Sequence, residues 1–262
     1  MSDEVKKTAP ADFVWYELHT NDGAGAEAFY GSVIGWEMRD SGMPSRSYVL
    51  LSAGGVDVAG LLTKPASAFA DGVKPGWMGY IGVSDVDAYA LRVLKAGGVV
   101  HRAVEDIPGV GRFAVVADPQ GAIFVLFQGL PGVKAPQHAP GALGTGAWHD
   151  LTASDWESAF DFYAGMFGWS KAMTLDMGPG GTYQVFAAGT KSLGGMMTRV
   201  DKTQAPSWLY YFNVEDVEAT AAKVKSQGGQ VVHGPVAVPS GEIVAHCVDP
   251  QGAIFGIVSP KR

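Results

Sequence analysis

The heptapeptide DPQGAIF stands at residues 118–124 and again, unchanged, at 249–255, 131 residues further on. A chain of 262 residues that repeats so long a word at half its own length is constrained to fold as two related halves. Other stretches fall into step with it. WYELHTND at 15–22 answers WHDLTASD at 148–155, and AFYGSVIGW at 28–36 answers DFYAGMFGW at 161–169. YVLLSAGGVDVAGLLT at 48–63 matches YQVFAAGTKSLGGMMT at 183–198 without a gap, and GVSDVDAYALRVLKAGGVV at 82–100 matches NVEDVEATAAKVKSQGGQV at 213–231. The offsets drift only between 131 and 135 residues, which is the mark of tandem duplication with small loop changes. The Pro- and Gly-rich stretch LPGVKAPQHAPGALG reads as a linker. Two domains follow, at 11–129 and 144–260, joined through 130–143.

Each copy carries its own internal order. FVWYELHT alternates like a strand; Asp22 then caps a helix whose apolar residues Ala26, Phe29, Tyr30, Val33 and Ile34 keep helical spacing and stop at Gly35. WEMRD, SYVLLSAG and VDVAGLLT follow as short strands. MGYIGV starts the order again, with Asp85 capping a second helix that turns Val86, Tyr89, Val93 and Leu94 inward before Gly97 and Gly98. The fold class is α+β: βαβββ occurs twice per copy and four times in the chain.

Bulk properties exclude several functions. A net charge of −7 and a pI near 5.3 leave no basic face for nucleic acid or for an anionic membrane surface. The N-terminal MSDEVKKTAPAD has no signal-peptide core and no stretch reaches the length of a membrane span, so a cytoplasmic protein is expected. The single cysteine, Cys247, lies in the apolar run IVAHCVD and reads as a buried, inert thiol. GxSxG, P-loop and HExxH motifs do not occur, and GPGG at 178–181 opens a strand and so reads as a turn.

The fourfold βαβββ order, with FY…GW closing the first helix of each copy and DPQGA entering its last strand, resembles the vicinal oxygen chelate superfamily of glyoxalases, bleomycin- and fosfomycin-resistance proteins and extradiol dioxygenases. Within it the chain is similar to the tandem bacterial glyoxalase-like proteins labelled as hydroxylases. The resemblance implies two open bowls of eight strands, with helices outside and a ligand inside. It also implies one divalent metal per bowl, held by His, Glu or Gln. Counting from the helix caps and the DPxG turn places those ligands at Trp15, Met78 and Val125 in the first copy and at Trp148, Leu209 and Gly256 in the second. None of the six can bind a hard cation. Asp57 is the one carboxylate the fourth strand adds, in the first copy alone. No cofactor is therefore expected, and a divalent metal is the alternative.

Strand alternation turns Trp15, Glu17 and His19 to the first bowl and Trp148, Asp150 and Thr152 to the second, with Tyr48, Tyr80, Tyr183, Tyr211 and Asn213 as further ligand-facing candidates. A register slip of one residue would bring His149 inward instead. Aromatic walls with a few polar groups suit a small hydrophobic or aromatic ligand. Each residue also has a packing role to offer: the tryptophans as volume, Glu17 and Asp150 as hydrogen-bonded carboxylates, His19 as a solvated rim histidine. His101, His138, His149, His233 and His246 are scattered and read as structural. Two function classes remain. One is a metal-free binding protein, monomeric with an internal pseudo-dimer. The other is a lyase, isomerase or dioxygenase of the lactoylglutathione-lyase kind, metal-assisted or using Glu17 or Asp150 as catalytic base. Whether each bowl is closed by strands of one copy or by exchanged strands is open, as is the ligand.

Overall fold

In a computed structural model the structure describes residues 10–43, 47–69, 74–132 and 138–260. The first copy runs β1 (Phe13–Thr20), α1 (Gly23–Val33), β2 (Glu37–Asp40), β3 (Tyr48–Ala53), β4 (Val56–Thr63), β5 (Gly76–Gly82), α2 (Val86–Lys95), β6 (Val99–Ile107), β7 (Gly111–Ala117) and β8 (Ile123–Gly129). The second repeats it as β9 (Gly146–Ala153), α3 (Trp156–Phe167), β10 (Ser170–Asp176), β11 (Thr182–Ala188), β12 (Lys191–Thr198), β13 (Ser207–Asn213), α4 (Val217–Ser226), β14 (Gln230–Ala237), β15 (Ile243–Val248) and β16 (Ile254–Ser259). Each copy forms one open, mixed eight-stranded sheet, ordered β2-β3-β4-β1-β5-β8-β7-β6 and β10-β11-β12-β9-β13-β16-β15-β14. The α+β expectation of four βαβββ units holds, and each sheet takes all its strands from one copy.

The helices begin where short polar residues can satisfy free amides. Asp22 accepts from Gly25 N at 3.0 Å, and Asp85, Asp155 and Asp216 cap α2, α3 and α4 in the same way. In α1 the apolar stripe Ala26, Phe29, Tyr30 and Val33 is buried. In α2, Val86, Ala90 and Val93 are buried but Leu94 is half exposed, contrary to the expected inward face. Ala90, not Leu94, completes the stripe with Val86 and Val93.

Contacts divide the chain into two compact units, and both draw on both copies. One contains the described residues within 14–80, 132–149 and 208–262, and in it α1 packs on α4. Its core is aromatic: Phe29 and Tyr30 meet Phe255 edge-on, Trp36 and Trp77 meet Phe212, and Tyr16 packs against Tyr210 and Phe212. The other contains the described residues within 1–13, 81–131 and 150–207, with α2 on α3 and Phe124 against Tyr163 and Phe167.

The repeated heptapeptide fastens these cores. Asp249 Oδ1 accepts from the amides of Gln251 and Ala253 at 2.9 and 2.8 Å, which is the turn itself, and Oδ2 accepts from the hydroxyl of Tyr30 at 3.0 Å. Asp118 repeats the pattern with Gln120, Ala122 and Tyr163. So the DPQGA turn of one copy grips the FY…GW helix of the other. None of the described helices is long and apolar enough to cross a membrane.

Candidate functional site

Alternation puts Tyr16, Leu18 and Thr20 of β1 in the buried core and leaves Glu17 and His19 on the opposite face. On that face Glu17 pairs in register with Gly60 of β4, and His19 with Leu62. The glycine is what assembles the cluster. A Cβ at residue 60 would lie 1.9 Å from the Tyr48 hydroxyl, so the Tyr48 ring crosses β4 in the space a side chain would fill. Its oxygen thereby meets Trp15 Nε1 at 3.2 Å and hydrogen-bonds Glu17, which Tyr80 also approaches from β5.

Glu17 is buried and its carboxylate sits 2.5 Å from His19 Nε2. Burial alone would raise its pKa; the hydrogen bond and charge of His19, with those of Tyr80 and Tyr48, outweigh that and hold it below the usual carboxylate value. His19 Nδ1 in turn lies 2.8 Å from Lys64 Nζ, just beyond the end of β4. The expected solvated rim histidine is thus only 16% exposed and held on both sides. Lys64 escaped the sequence reading altogether. Its one signal was position, two residues after Leu62 and therefore on the face of His19.

The second copy builds the same carboxylate–phenol pair. Tyr183 lies over Gly195, where a Cβ would be 1.9 Å from the ring, and its hydroxyl donates to Asp150 Oδ1 at 2.6 Å. Here Thr152 and Arg199 stand where the first copy has His19 and Lys64. Elsewhere in the second copy Tyr211 lies over Gly256, with its hydroxyl 2.7 Å from His246 Nε2, and His233 faces His246 across β14 and β15. Burial, then the neighbouring His233, pushes the pKa of His246 down to about 4, so its ring is neutral at pH 7. Sequence spacing gave no sign of this pair, because bulges in β14 set its register.

Other candidates separate. Asn213 Nδ2 donates to Thr145 Oγ1 at 3.1 Å and so braces the start of β9. His149 is buried, 2.6 Å from the Tyr16 hydroxyl on the core face of its strand, so no register slip turns it to the bowl. Trp148, on the opposite face, is half buried. Asp57 pairs with Arg39 at 2.9 Å. The Cys247 thiol is buried and its pKa pushed up to about 12. A cavity of about 480 Å³ opens beside β2 and β3, bordered by Arg39, Asp40 and Tyr48 and not by Glu17.

The positions to which a family metal would be assigned do not fit one. A side chain at 256 would collide with the Tyr211 ring, its Cβ only 2.3 Å away. Val125 is 1% exposed and offers no donor, and the Trp15 indole is committed to Tyr48. Among the described residues no three His, Cys, Asp or Glu side chains gather as a metal would need.

Residues 147–257 match the family model described as "Glyoxalase/Bleomycin resistance protein/Dioxygenase superfamily", and residues 12–54 match "Bleomycin resistance protein-like N-terminal". The Mycobacterium tuberculosis protein named "Putative glyoxylase CFP32" is 34% identical over 94% of this chain and 94% of its own. The chain belongs to the glyoxalase/bleomycin resistance/dioxygenase superfamily. The "Anthracycline biosynthesis protein DnrV" of Streptomyces peucetius is 32% identical over 98% of this chain and 96% of its own. Among solved structures, the Mn(II)-bound glyoxalase from Novosphingobium aromaticivorans superposes with a TM-score of 0.69, covering 97% of this chain and 83% of that one at 16% identity, a likeness of fold.

Proposed function

We propose that this superfamily member binds a small, largely apolar or aromatic molecule in its bowls without the superfamily's metal. The observation that carries this reading is the repeated arrangement in which a glycine lets a tyrosine cross a strand to reach an inward carboxylate: Tyr48 over Gly60 to Glu17, Tyr183 over Gly195 to Asp150. A carboxylate in an apolar site is costly unless bonded, and here phenols bond it while their rings and the neighbouring indoles supply aromatic wall. Ligand hydroxyls would meet the acceptors on these groups. Two relatives of 31% and 32% identity are named for anthracycline biosynthesis, which supports a flat hydroxylated aromatic as the ligand class. The acidic net charge of −7 argues for such a partner over nucleic acid.

Thermal shift against a panel of hydroxyanthraquinones, simple phenols and aliphatic compounds tests the proposal. Hydroxylated aromatics should raise the melting temperature, by about 2.7 kcal/mol of stabilisation at a hundredfold excess over Kd. Tyr48→Phe with Tyr183→Phe should weaken the shift, and a chelator should leave it unchanged. A panel without any aromatic hit, or a shift that chelation abolishes, would overturn it.

A further inference from the structure

We propose that Lys64 is a carbonyl-reactive amine, activated by His19 and Glu17, and that the first copy takes aldehyde or ketone ligands through it as a Schiff base. The proposal rests on the reading that this bowl admits a small molecule, and it names the chemical class that would react there.

The geometry follows the order nucleophile, base, orienter. Lys64 Nζ is 2.8 Å from His19 Nδ1, and His19 Nε2 is 2.5 Å from Glu17 Oε1. Nε2–H of His19 donates to the Glu17 carboxylate, which fixes the tautomer and turns the Nδ1 lone pair towards Lys64. Tyr48 and Tyr80 hold the carboxylate from its other sides. Glu17 and His19 lie on β1, and Tyr48 and Tyr80 on β3 and β5; Lys64 follows the last residue of β4 directly, with its amide still donating to the Thr20 carbonyl at 2.8 Å, so the pairing of β1 with β4 carries on to the lysine backbone.

The chemistry balances without oxidant or metal. A proton passes from the Lys64 ammonium to His19 Nδ1, and Glu17 stabilises the imidazolium that results. The freed lone pair on Nζ forms a bond to the carbonyl carbon as the π pair moves to oxygen, which recovers the proton from His19. One of the two protons left on Nζ then passes through His19 to the carbinolamine hydroxyl, the C–O bond breaks to release water, and the freed nitrogen lone pair closes the C=N bond of a protonated Schiff base. The second copy supplies an internal comparison. It keeps the carboxylate as Asp150, but Thr152 cannot act as base and Arg199, always protonated, cannot act as nucleophile. Arg199 is instead bonded to the carbonyl of Gln204. The second copy therefore keeps the carboxylate without the histidine and lysine that would use it.

The test is reductive trapping on the full chain: benzaldehyde with sodium cyanoborohydride near neutral pH, and the benzylated lysines mapped by mass spectrometry over time. Lys64 should label about a hundredfold or more faster than the mean of the other lysines, the lower end of positioned acid–base assistance. His19→Asn and Glu17→Gln, each checked for an unchanged melting profile, should bring it to the level of the others. Labelling of Lys64 at the surface rate in the unmutated protein overturns the proposal, and so does fast labelling that survives His19→Asn. Aromatic thermal shifts without selective labelling would remove the triad and leave the binding reading standing. Selective labelling without aromatic shifts would do the reverse.

Discussion

At the scale of single residues the telling position is Gly60. Glycine inside a strand is ordinarily a weakness, since it has no side chain to pack. Here the missing Cβ is the path of the Tyr48 ring, and Gly195 repeats the device for Tyr183. Gly60→Ala should therefore do more than add a methyl. It must push the Tyr48 hydroxyl off Glu17, at a cost of about 1–3 kcal/mol for overpacking, with a further loss for the abandoned carboxylate. Chemical denaturation would give the cost, and a rise in the Glu17 pKa followed by carboxyl NMR would show its source; a neutral substitution with an unmoved pKa would refute the account. The tyrosines and the carboxylates could be picked out by alternation, but the glycines that bring them together could not. Their meaning depends on which residue of a neighbouring strand lies opposite.

Among the elements, the DPQGA turns and the FY…GW helices show how a motif can be read correctly and incompletely. Pro and Gly in DPQG mark a turn in the sequence itself, and the turn is there, closed by the Asp118 and Asp249 carboxylates. The grip of those carboxylates on Tyr163 and Tyr30 was not legible, because the partners lie 45 and 219 residues away. Burial raises the pKa of both aspartates above its ordinary value, against their backbone and tyrosine hydrogen bonds. A carboxyl with a raised folded pKa favours the fold below its unfolded pKa, near 3.9, and loses that contribution as pH rises through the folded one. In the double variant Asp118→Asn, Asp249→Asn this loss is removed. Its denaturation midpoint should thus gain on that of the parent as pH rises above the unfolded aspartate pKa of about 3.9. A difference that is flat or shrinks with pH would contradict the assignment.

For the whole molecule the duplication has a consequence that a repeat alignment does not announce. Hydrogen-bonded sheets follow the copies, while compact units combine the first half of one copy with the second half of the other. A fragment of residues 11–129 would keep its strands and lose the partners of Phe29, Tyr30, Trp36 and Trp77, at about 1.5–3 kcal/mol for each large apolar side chain uncovered. It should be recovered as a dimer or as aggregate by light scattering. A monomer that unfolds cooperatively would show that the exchange is dispensable. Duplication, the βαβββ order and the helix caps could all be read along the chain, since each is written in residues close together or at a fixed offset. Which strands share a sheet, which helices share a core, and that Lys64 meets His19 emerged with the fold. Those contacts join residues far apart along the chain, and strand register, to which a single sequence is nearly blind, sets them.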